Sequence, residues 1–450
     1  MRVTVVGAGY VGLTSALALA AVRHDVVCVD RDAARLARLR RGEDPLGEAG
    51  VAELLRRTSV RFVEADAELA RADVVLVAVG TPMRADGHAD LTHVDEAALA
   101  IARGARPGAV VVIRSTVPVG TCERLQTRPL RRQVVASNPE FLREGRAIED
   151  AFAPTRIVAG GPPSARPIVE ALYAPLLAEL ARSTPHAPPP PFVWTTSRTA
   201  ELAKYAANGF LATKLSFVNE IANLAQAVGA DAETVLQTMG LDPRIGAGHL
   251  RPGLGWGGSC FPKDTRALAA LAAGEGYDFI VLRAAIEQNN RQIARFATII
   301  ERETRSGAVI GLLGLTFKAG TADTRESPAL ALARRLARTG RRVHAYDPAV
   351  RELADDAIAR VCSDAVGACA DVDAVVVATE WPEFAALDLA ALRRVTRGDL
   401  LVDGRGVIDP ALAAKAGFRY RGLRRGAEPR ALRTLPEARA LSFSRQRWAS

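Results

Sequence analysis

The segment GWGGSCFPKD, residues 255–264, brings a thiol (Cys260), an ammonium (Lys263) and a carboxylate (Asp264) together behind a glycine-rich turn. The Pro262 ring is pre-set for an early helical position and the apolar run ALAALAA follows, so the spacing predicts a helix with Cys260 just ahead of its N-terminus. Unpaired N–H groups and the helix dipole at that point favour a thiolate, the nucleophilic form of the side chain. Gly253, Gly255, Gly257 and Gly258 strip side chains from the approach, as a bulky phosphorylated substrate requires. The competing reading is a small buried hydrophobe, a common fate of a lone cysteine.

Two other groupings have the residue types for acid–base work. In SNPEFLREG, Asn138 can cap and Pro139 can begin a short helix, which would put Glu140 and Glu144 on one face; a solvated helix face is the alternative. Lys204 and Asn208, four apart and aligned with Leu211 and Leu215, point to one side of a helical pattern from Arg198 to Val228 that no proline interrupts. A lysine there needs a partner if buried, or snorkels at the edge of a core.

The elements that must position these groups are of the alternating strand–helix type. RVTVVG, then GAGYVG from Gly7 to Gly12, then SALALAAV, then DVVCVD ending at Asp30, read as a strand, phosphate-binding turn, helix and second strand. The glycines admit a pyrophosphate, the helix N-terminus holds it, and Asp30 binds ribose hydroxyls and repels a 2′-phosphate, favouring NAD over NADP; Arg31 and Arg35 stand close by. VVLVAVGTP and VVVIRSTV continue a doubly wound parallel sheet, with Thr81 and Thr116 at strand ends where such sheets bind ligands.

The pattern restarts late in the chain with GAVIGLLGLTFK, RRVHAYDP, DAVVVATE and DLLVDGR, where Gly311 and Gly314 form only a partial fingerprint and Lys318, Arg325 and Arg405 follow strand ends. The predicted fold is therefore α/β: two Rossmann-like doubly wound parallel-sheet domains joined by a central helical domain with a long spine helix. Its parts are 1–193, 194–304 and 305–423, followed by a basic tail, 424–450, expected to be loosely docked. A proline run, PHAPPPP (185–191), reads as a stiff connection.

Composition narrows the class further. The chain has 450 residues and a net charge of +9, carried almost wholly by arginine, which suits phosphorylated small molecules; no nucleic-acid-binding motif accompanies it. Five cysteines without a CxxC pair fit a reducing cytoplasm and no disulfide framework. The uncharged stretch 3–22 contains the glycine turn, so it reads as buried strand and helix, not as a leader or membrane span.

In their order along the chain, GAGYVG, VGTP, STVPVGT, NPEFLREG, ELAKYAANGFLA, DPRIG, GWGGSCFPKD, GLTFKAGTADTRESP, YDP and DGR resemble the UDP-glucose/GDP-mannose dehydrogenase family over residues 1 to about 423. The resemblance implies an enzyme that oxidises a nucleotide-sugar C6 alcohol to a carboxylate with two NAD in turn. CFPKD is more similar to the UDP-glucose members, with UDP-glucuronate as product; UDP-N-acetylmannosamine and GDP-mannose are the alternative substrates. It implies catalytic roles for Cys260 (nucleophile), Lys204 and Asn208 (oxyanion stabilisation), Asp264 (holding a water that takes the first proton), Glu140 (activating the hydrolytic water) and Thr116 (positioning it).

For the cofactor the resemblance implies Gly7, Gly9, Tyr10, Val11, Gly12, Asp30, Arg35, Thr81, Thr116, Glu144, Lys263 and Arg325. For the UDP-sugar it implies Glu140, Phe141, Leu142, Lys204, Asn208, Arg251, Pro252, Gly253, Leu254, Gly255, Gly257, Phe317, Lys318 and Arg405. Arg244 is expected to reach the substrate of a neighbouring subunit, making the protein a homodimer or higher homo-oligomer; no metal, nucleic acid or membrane is expected. Thr155 and Gly406 depart from the family's usual Asp and Asn. A two-electron alcohol dehydrogenase would need Lys204 and Asn208 but not Cys260, and a non-catalytic nucleotide or nucleic-acid binder would need none of them. The presence of the Lys, Asn, Cys and Asp constellation opposes both.

Overall fold

The computed structural model describes residues 1–423 apart from Ala65 and Pro185. The arginine-rich segment expected to be a loosely docked tail, 424–450, lies outside the described residues.

The first sheet is built from β1 (Arg2–Val6), β2 (Asp25–Val29), β3 (Arg61–Val63), β4 (Val74–Val77), β5 (Val110–Ile113), β6 (Val134–Ser137), β7 (Ile157–Gly160) and β8 (Phe192–Thr195). Their order is β3-β2-β1-β4-β5-β6-β7-β8. Runs such as Val110–Ile113 are buried along their whole length, because helices cover both faces of the sheet. Pairing is parallel through β6; β7 then meets β6 antiparallel at Ser137 and Gly160, and β8, entered from the proline run, lies parallel to β7.

The second sheet contains β9 (Val309–Leu313), β10 (Arg342–Tyr346), β11 (Arg360–Val361), β12 (Ala374–Val377), β13 (Leu400–Asp403) and β14 (Arg419–Gly422), in the order β11-β10-β9-β12-β13-β14. In each sheet the strand order thus reverses beside the first strand, between β1 and β4 and between β9 and β12, and opens a ligand crevice at the strands' C-terminal ends.

Between the sheets runs the spine helix, Ser197–Val228, of 32 residues and about 48 Å. Thr196 caps it by accepting from the Thr199 N–H, and Gly229 ends it in the left-handed conformation at φ 75°. Helices Phe261–Gly274 and Ile280–Glu303 pack against it. Among the described residues, no helix is long and apolar enough to cross a membrane.

Candidate active site

The glycine loop ahead of Cys260 is held from two helices. Asn219 Oδ1, on the spine, accepts from the Gly253 N–H at 2.8 Å, and Gln292 donates to the Gly253 carbonyl at 2.9 Å. The Asn289 amide accepts from the Trp256 N–H and donates to its carbonyl, while the Trp256 indole donates to Ser216 Oγ at 2.9 Å. A loop so tied presents Cys260 at the N-cap of Phe261–Gly274, with Pro262 in the first turn.

The glycines of this loop serve a second purpose beside the one expected. A Cβ on Gly257 would stand 2.1 Å from the Glu326 carbonyl oxygen, and one on Gly258 2.8 Å from the Phe317 ring. The loop is bare so that the second-sheet domain can close on it, not only to clear a path for substrate.

The thiol lines a cavity of about 1400 Å³ bounded by all three parts of the chain. Phe141, Leu142 and Glu144 come from the first domain and Lys204 and Asn208 from the spine; Arg251, Pro252, Gly253, Gly255 and Gly257 come from the loop, and Phe317, Lys318 and Arg405 from the second sheet. Glu140 and Asp264 lie directly behind the wall, buried. Lys204 Nζ is 3.0 Å from Glu140 Oε1, and Asn208 donates to Asp264 Oδ2 at 2.6 Å. Lys204 is therefore a paired, buried ammonium, not a snorkelling one. Lys318 donates to the Glu144 carbonyl at 2.6 Å, and Arg405 donates to the Ala378 and Phe317 carbonyls at 2.8 and 3.0 Å.

Electrostatics sort these groups. Burial opposes ionisation of Glu140, but Lys204, the Leu142 N–H and Arg114 outweigh it and hold the carboxyl below its usual range. Burial likewise opposes the Lys204 charge, yet Glu140 and its acidic neighbours keep it above the ordinary lysine value. The expectation of a thiolate at Cys260 is corrected: burial, then the Glu140 charge, push the thiol up despite Lys204.

The predicted helix over SNPEFLREG is also absent: residues 138–143 have no regular structure. Asn138 cannot cap, because its side chain donates to the Val158 carbonyl at 2.7 Å and accepts from Arg114 and Tyr173 at 2.9 and 2.5 Å. Glu140 and Glu144 still reach one site, from an irregular segment instead of a helix face.

At the first switch point Gly7, Gly9, Tyr10, Val11 and Gly12 form the turn and first helical residues after β1. A Cβ on Gly9 would meet nothing within 4 Å, leaving open space before the helix N-terminus, as a pyrophosphate needs. Asp30 accepts from the Ala8 and Asp32 N–H groups at 2.6 and 2.8 Å and from Arg35 at 3.2 Å. Arg31 turns to Glu96, so both nearby arginines are engaged by carboxylates. Thr81 donates to the Thr116 carbonyl at 2.8 Å at the ends of β4 and β5.

The other predicted positions are placed as follows. Leu254 is buried in the core of the second sheet, and Arg244 is exposed and paired with Asp242 at 2.6 Å, away from its own chain's cavity. Lys263 is paired with Asp264 at 2.5 Å, and Arg325 lies 3.7 Å from Glu144 and 2.6 Å from Asp323. Sequence reasoning passed over Ser259, Asp323, the Arg114–Tyr173 pair, Arg156 stacked 3.8 Å over the Phe141 ring, and Glu48, which accepts from the Gly145 and Ala147 N–H groups. Ser259, adjacent to the thiol, and Asp323, two residues before Arg325 in GLTFKAGTADTRESP, had a signal in the sequence.

Family models agree with this architecture part by part. The UDP-glucose/GDP-mannose dehydrogenase NAD binding domain matches residues 1–177, the central domain 198–291 and the UDP binding domain 311–410. The chain is 43% identical over 444 residues to the UDP-glucose 6-dehydrogenase of Rhizobium meliloti (strain 1021), covering 94% of this chain and 100% of that protein. It is 43% identical over 456 residues to that of Pseudomonas aeruginosa, covering 94% and 98%. The solved structure of a UDP-glucose dehydrogenase from Pyrobaculum islandicum superposes with a TM-score of 0.85 at 37% identity, covering 94% and 97%. That of UDP-D-ManNAc dehydrogenase from Pyrococcus horikoshii superposes at 0.81 and 27%, covering 94% and 99%.

Fold, dinucleotide turn and cleft together define an NAD-dependent oxidoreductase with a UDP-binding second sheet. The chain belongs to the UDP-glucose/GDP-mannose dehydrogenase family.

Proposed function

We propose that this enzyme oxidises UDP-glucose to UDP-glucuronate in four electrons through a thioester on Cys260. The observation that carries the reading is the convergence of Cys260, Lys204 and Asn208 on one cavity wall, backed by Glu140 and Asp264, between the two sheets. NAD, when bound at the glycine turn, supplies the hydride acceptor.

The protein's own groups divide the remaining work. Asp264 holds the water that receives the C6 hydroxyl proton, and Asn208 and the Lys204 ammonium steady the oxyanions, a contribution of several kcal/mol in comparable sites. Cys260 adds to the aldehyde, and loss of the second hydride leaves a thioester. Glu140, held ionised by Lys204, orients the water that cleaves it, with Thr116 alongside. Phe317, Lys318 and Arg405 hold the nucleotide sugar.

We also infer a homodimer or higher homo-oligomer along the spine, supported by Phe210, Phe217 and Leu224, which are 68%, 50% and 58% exposed at seven-residue spacing. A cytoplasmic setting is supported by five cysteines, none in a disulfide. The deciding experiment is the amount of NADH formed per UDP-glucose consumed, with UDP-N-acetylmannosamine and GDP-mannose assayed in parallel. A value of two supports the reading; one or zero overturns it, and preference for another sugar reassigns the substrate.

A further inference from the structure

A thiol that burial holds in its neutral form needs a base before it can attack. The charged groups facing it are Glu140, Lys204, Asp264, Lys263 and Arg325. Lys204 is already protonated and has no lone pair to offer. Glu140 is held ionised, with one oxygen on Lys204 at 3.0 Å and the other on the Leu142 N–H at 2.5 Å. Asp264 accepts from Asn208 at 2.6 Å and from Lys263 at 2.5 Å, one on each oxygen.

Glu144 is placed differently. Ser259 Oγ donates to its Oε1, and the same hydroxyl oxygen lies 3.5 Å from Cys260 Sγ. Because the serine hydrogen points to the carboxylate, the thiol is the donor in the second contact. The Glu144 carboxyl is buried and paired with that of Asp323, and Arg325 and Lys318 stand around it. Burial raises this carboxyl to about 7, where a general base works best at neutral pH; the Ser259 bond opposes the rise, and the charge and hydrogen bond of Asp323 add to it.

We propose that Ser259 is a catalytic residue that relays the Cys260 proton to Glu144. The S–H bond breaks as a new O–H bond forms on Ser259 Oγ, and the original Ser259 proton passes to Glu144 Oε1. The products are a thiolate and a carboxylic acid, with no net loss of protons. The reverse path reprotonates the sulfur when the thioester is cleaved, so the catalytic use of the relay rests on the thioester reading above.

Such an exchange leaves a signature in thiol reactivity. Once Glu144 has ionised, further increase in pH does not change how the one remaining proton is shared between sulfur and carboxylate. The reactive fraction therefore becomes independent of pH. The test is the rate of Cys260 alkylation by iodoacetamide in the unliganded full chain from pH 5 to 10, quantified by peptide mass spectrometry. In the wild type the logarithm of the rate is expected to climb to about 7, level off, and climb again only as the thiol itself ionises.

Ser259→Ala and Glu144→Gln should lose the plateau and alkylate about 10- to 100-fold more slowly at pH 8, whereas Ser259→Thr should keep it. A wild-type profile without a plateau overturns the relay, as does a plateau retained, or faster alkylation, in either disabling variant. Because no sugar or NAD is present, this failure is distinct from a stoichiometry of one NADH, which would remove the four-electron reading and leave the thiol's activation intact.

Discussion

Lys204 Nζ and Glu140 Oε1 stand 3.0 Å apart with only 4% and 6% of their side chains exposed, so neither charge has water to fall back on. Removing one partner leaves a bare charge in low dielectric, whereas replacing both with neutral groups of similar size does not. Lys204→Met and Glu140→Gln should each cost about 3–5 kcal/mol of stability, and the double variant should recover most of it. Urea unfolding of the four proteins measures the coupling. Additive losses would show that the pair is not one electrostatic unit.

The same pair gives stability a pH window. The folded-state value of Lys204 lies above that of an unfolded lysine, so its share is present in full below the unfolded value and is lost as pH rises through the folded one. Glu140 lies below its ordinary value, so its share is present above the usual carboxylate range and is lost as pH falls through the folded value. The stability difference between wild type and the double variant should therefore be greatest between about pH 5 and 10 and shrink on both sides. A difference that stays flat to pH 3 would contradict the shift at Glu140.

Cys260→Ser removes the nucleophile while leaving the loop's hydrogen bonds to Asn219, Asn289 and Gln292 untouched. The variant should melt within a few degrees of wild type, bind NAD with unchanged affinity by calorimetry, and lose turnover by about a thousandfold or more. Substantial turnover in the serine variant would mean that sulfur forms no covalent bond to the sugar.

What could be read before the structure divides along the range of the forces involved. The turn from Gly7 to Gly12, Asp30 at the end of β2 and the spine from Ser197 to Gly229 depend on neighbours in the chain, and these were legible. The state of Cys260 was misread because the burial and the Glu140 charge that push its thiol up come from separate segments that the local sequence does not display. Residues 138–143 were misread for a related reason, since partners 24 to 35 positions away at Arg114 and Tyr173 claim the Asn138 side chain. The pairing of Asp323 with Glu144 has no sequence signal, although Asp323 stands in the GLTFKAGTADTRESP motif, because the two meet only where the domains close.

Cofactor choice turns on Asp30 and Arg35. Arg35 is 3.2 Å from Asp30 Oδ2 and 3.3 Å from Asp32 Oδ2, so its charge is neutralised where a 2′-phosphate would otherwise sit. Asp30→Ser should weaken NAD by about 10- to 100-fold through loss of charge-assisted hydrogen bonds to the ribose. By releasing Arg35 it should also raise the ratio of NADP to NAD efficiency. Steady-state kinetics with both dinucleotides decides the matter, and an unchanged ratio would show that Arg35 does not reach the 2′ position.

Two glycines of the same turn separate folding from cofactor binding. A Cβ on Gly12 would lie 1.8 Å from the Gly7 carbonyl oxygen, a backbone atom that cannot move without pulling the helix off β1. A Cβ on Gly9 would touch no protein atom within 4 Å and would project into the space before the helix N-terminus. Gly12→Ala should therefore fail to give a cooperatively folded protein. Gly9→Ala should keep its Tm within a few degrees yet bind NAD at least about tenfold more weakly, because the added methyl competes with the pyrophosphate for the helix N–H groups. Thermal unfolding with and without NAD reads both effects at once: the Gly9 variant should show a normal melt and a reduced NAD-induced shift. A full shift in that variant would place the pyrophosphate away from this helix and remove the structural basis for assigning the turn to the cofactor.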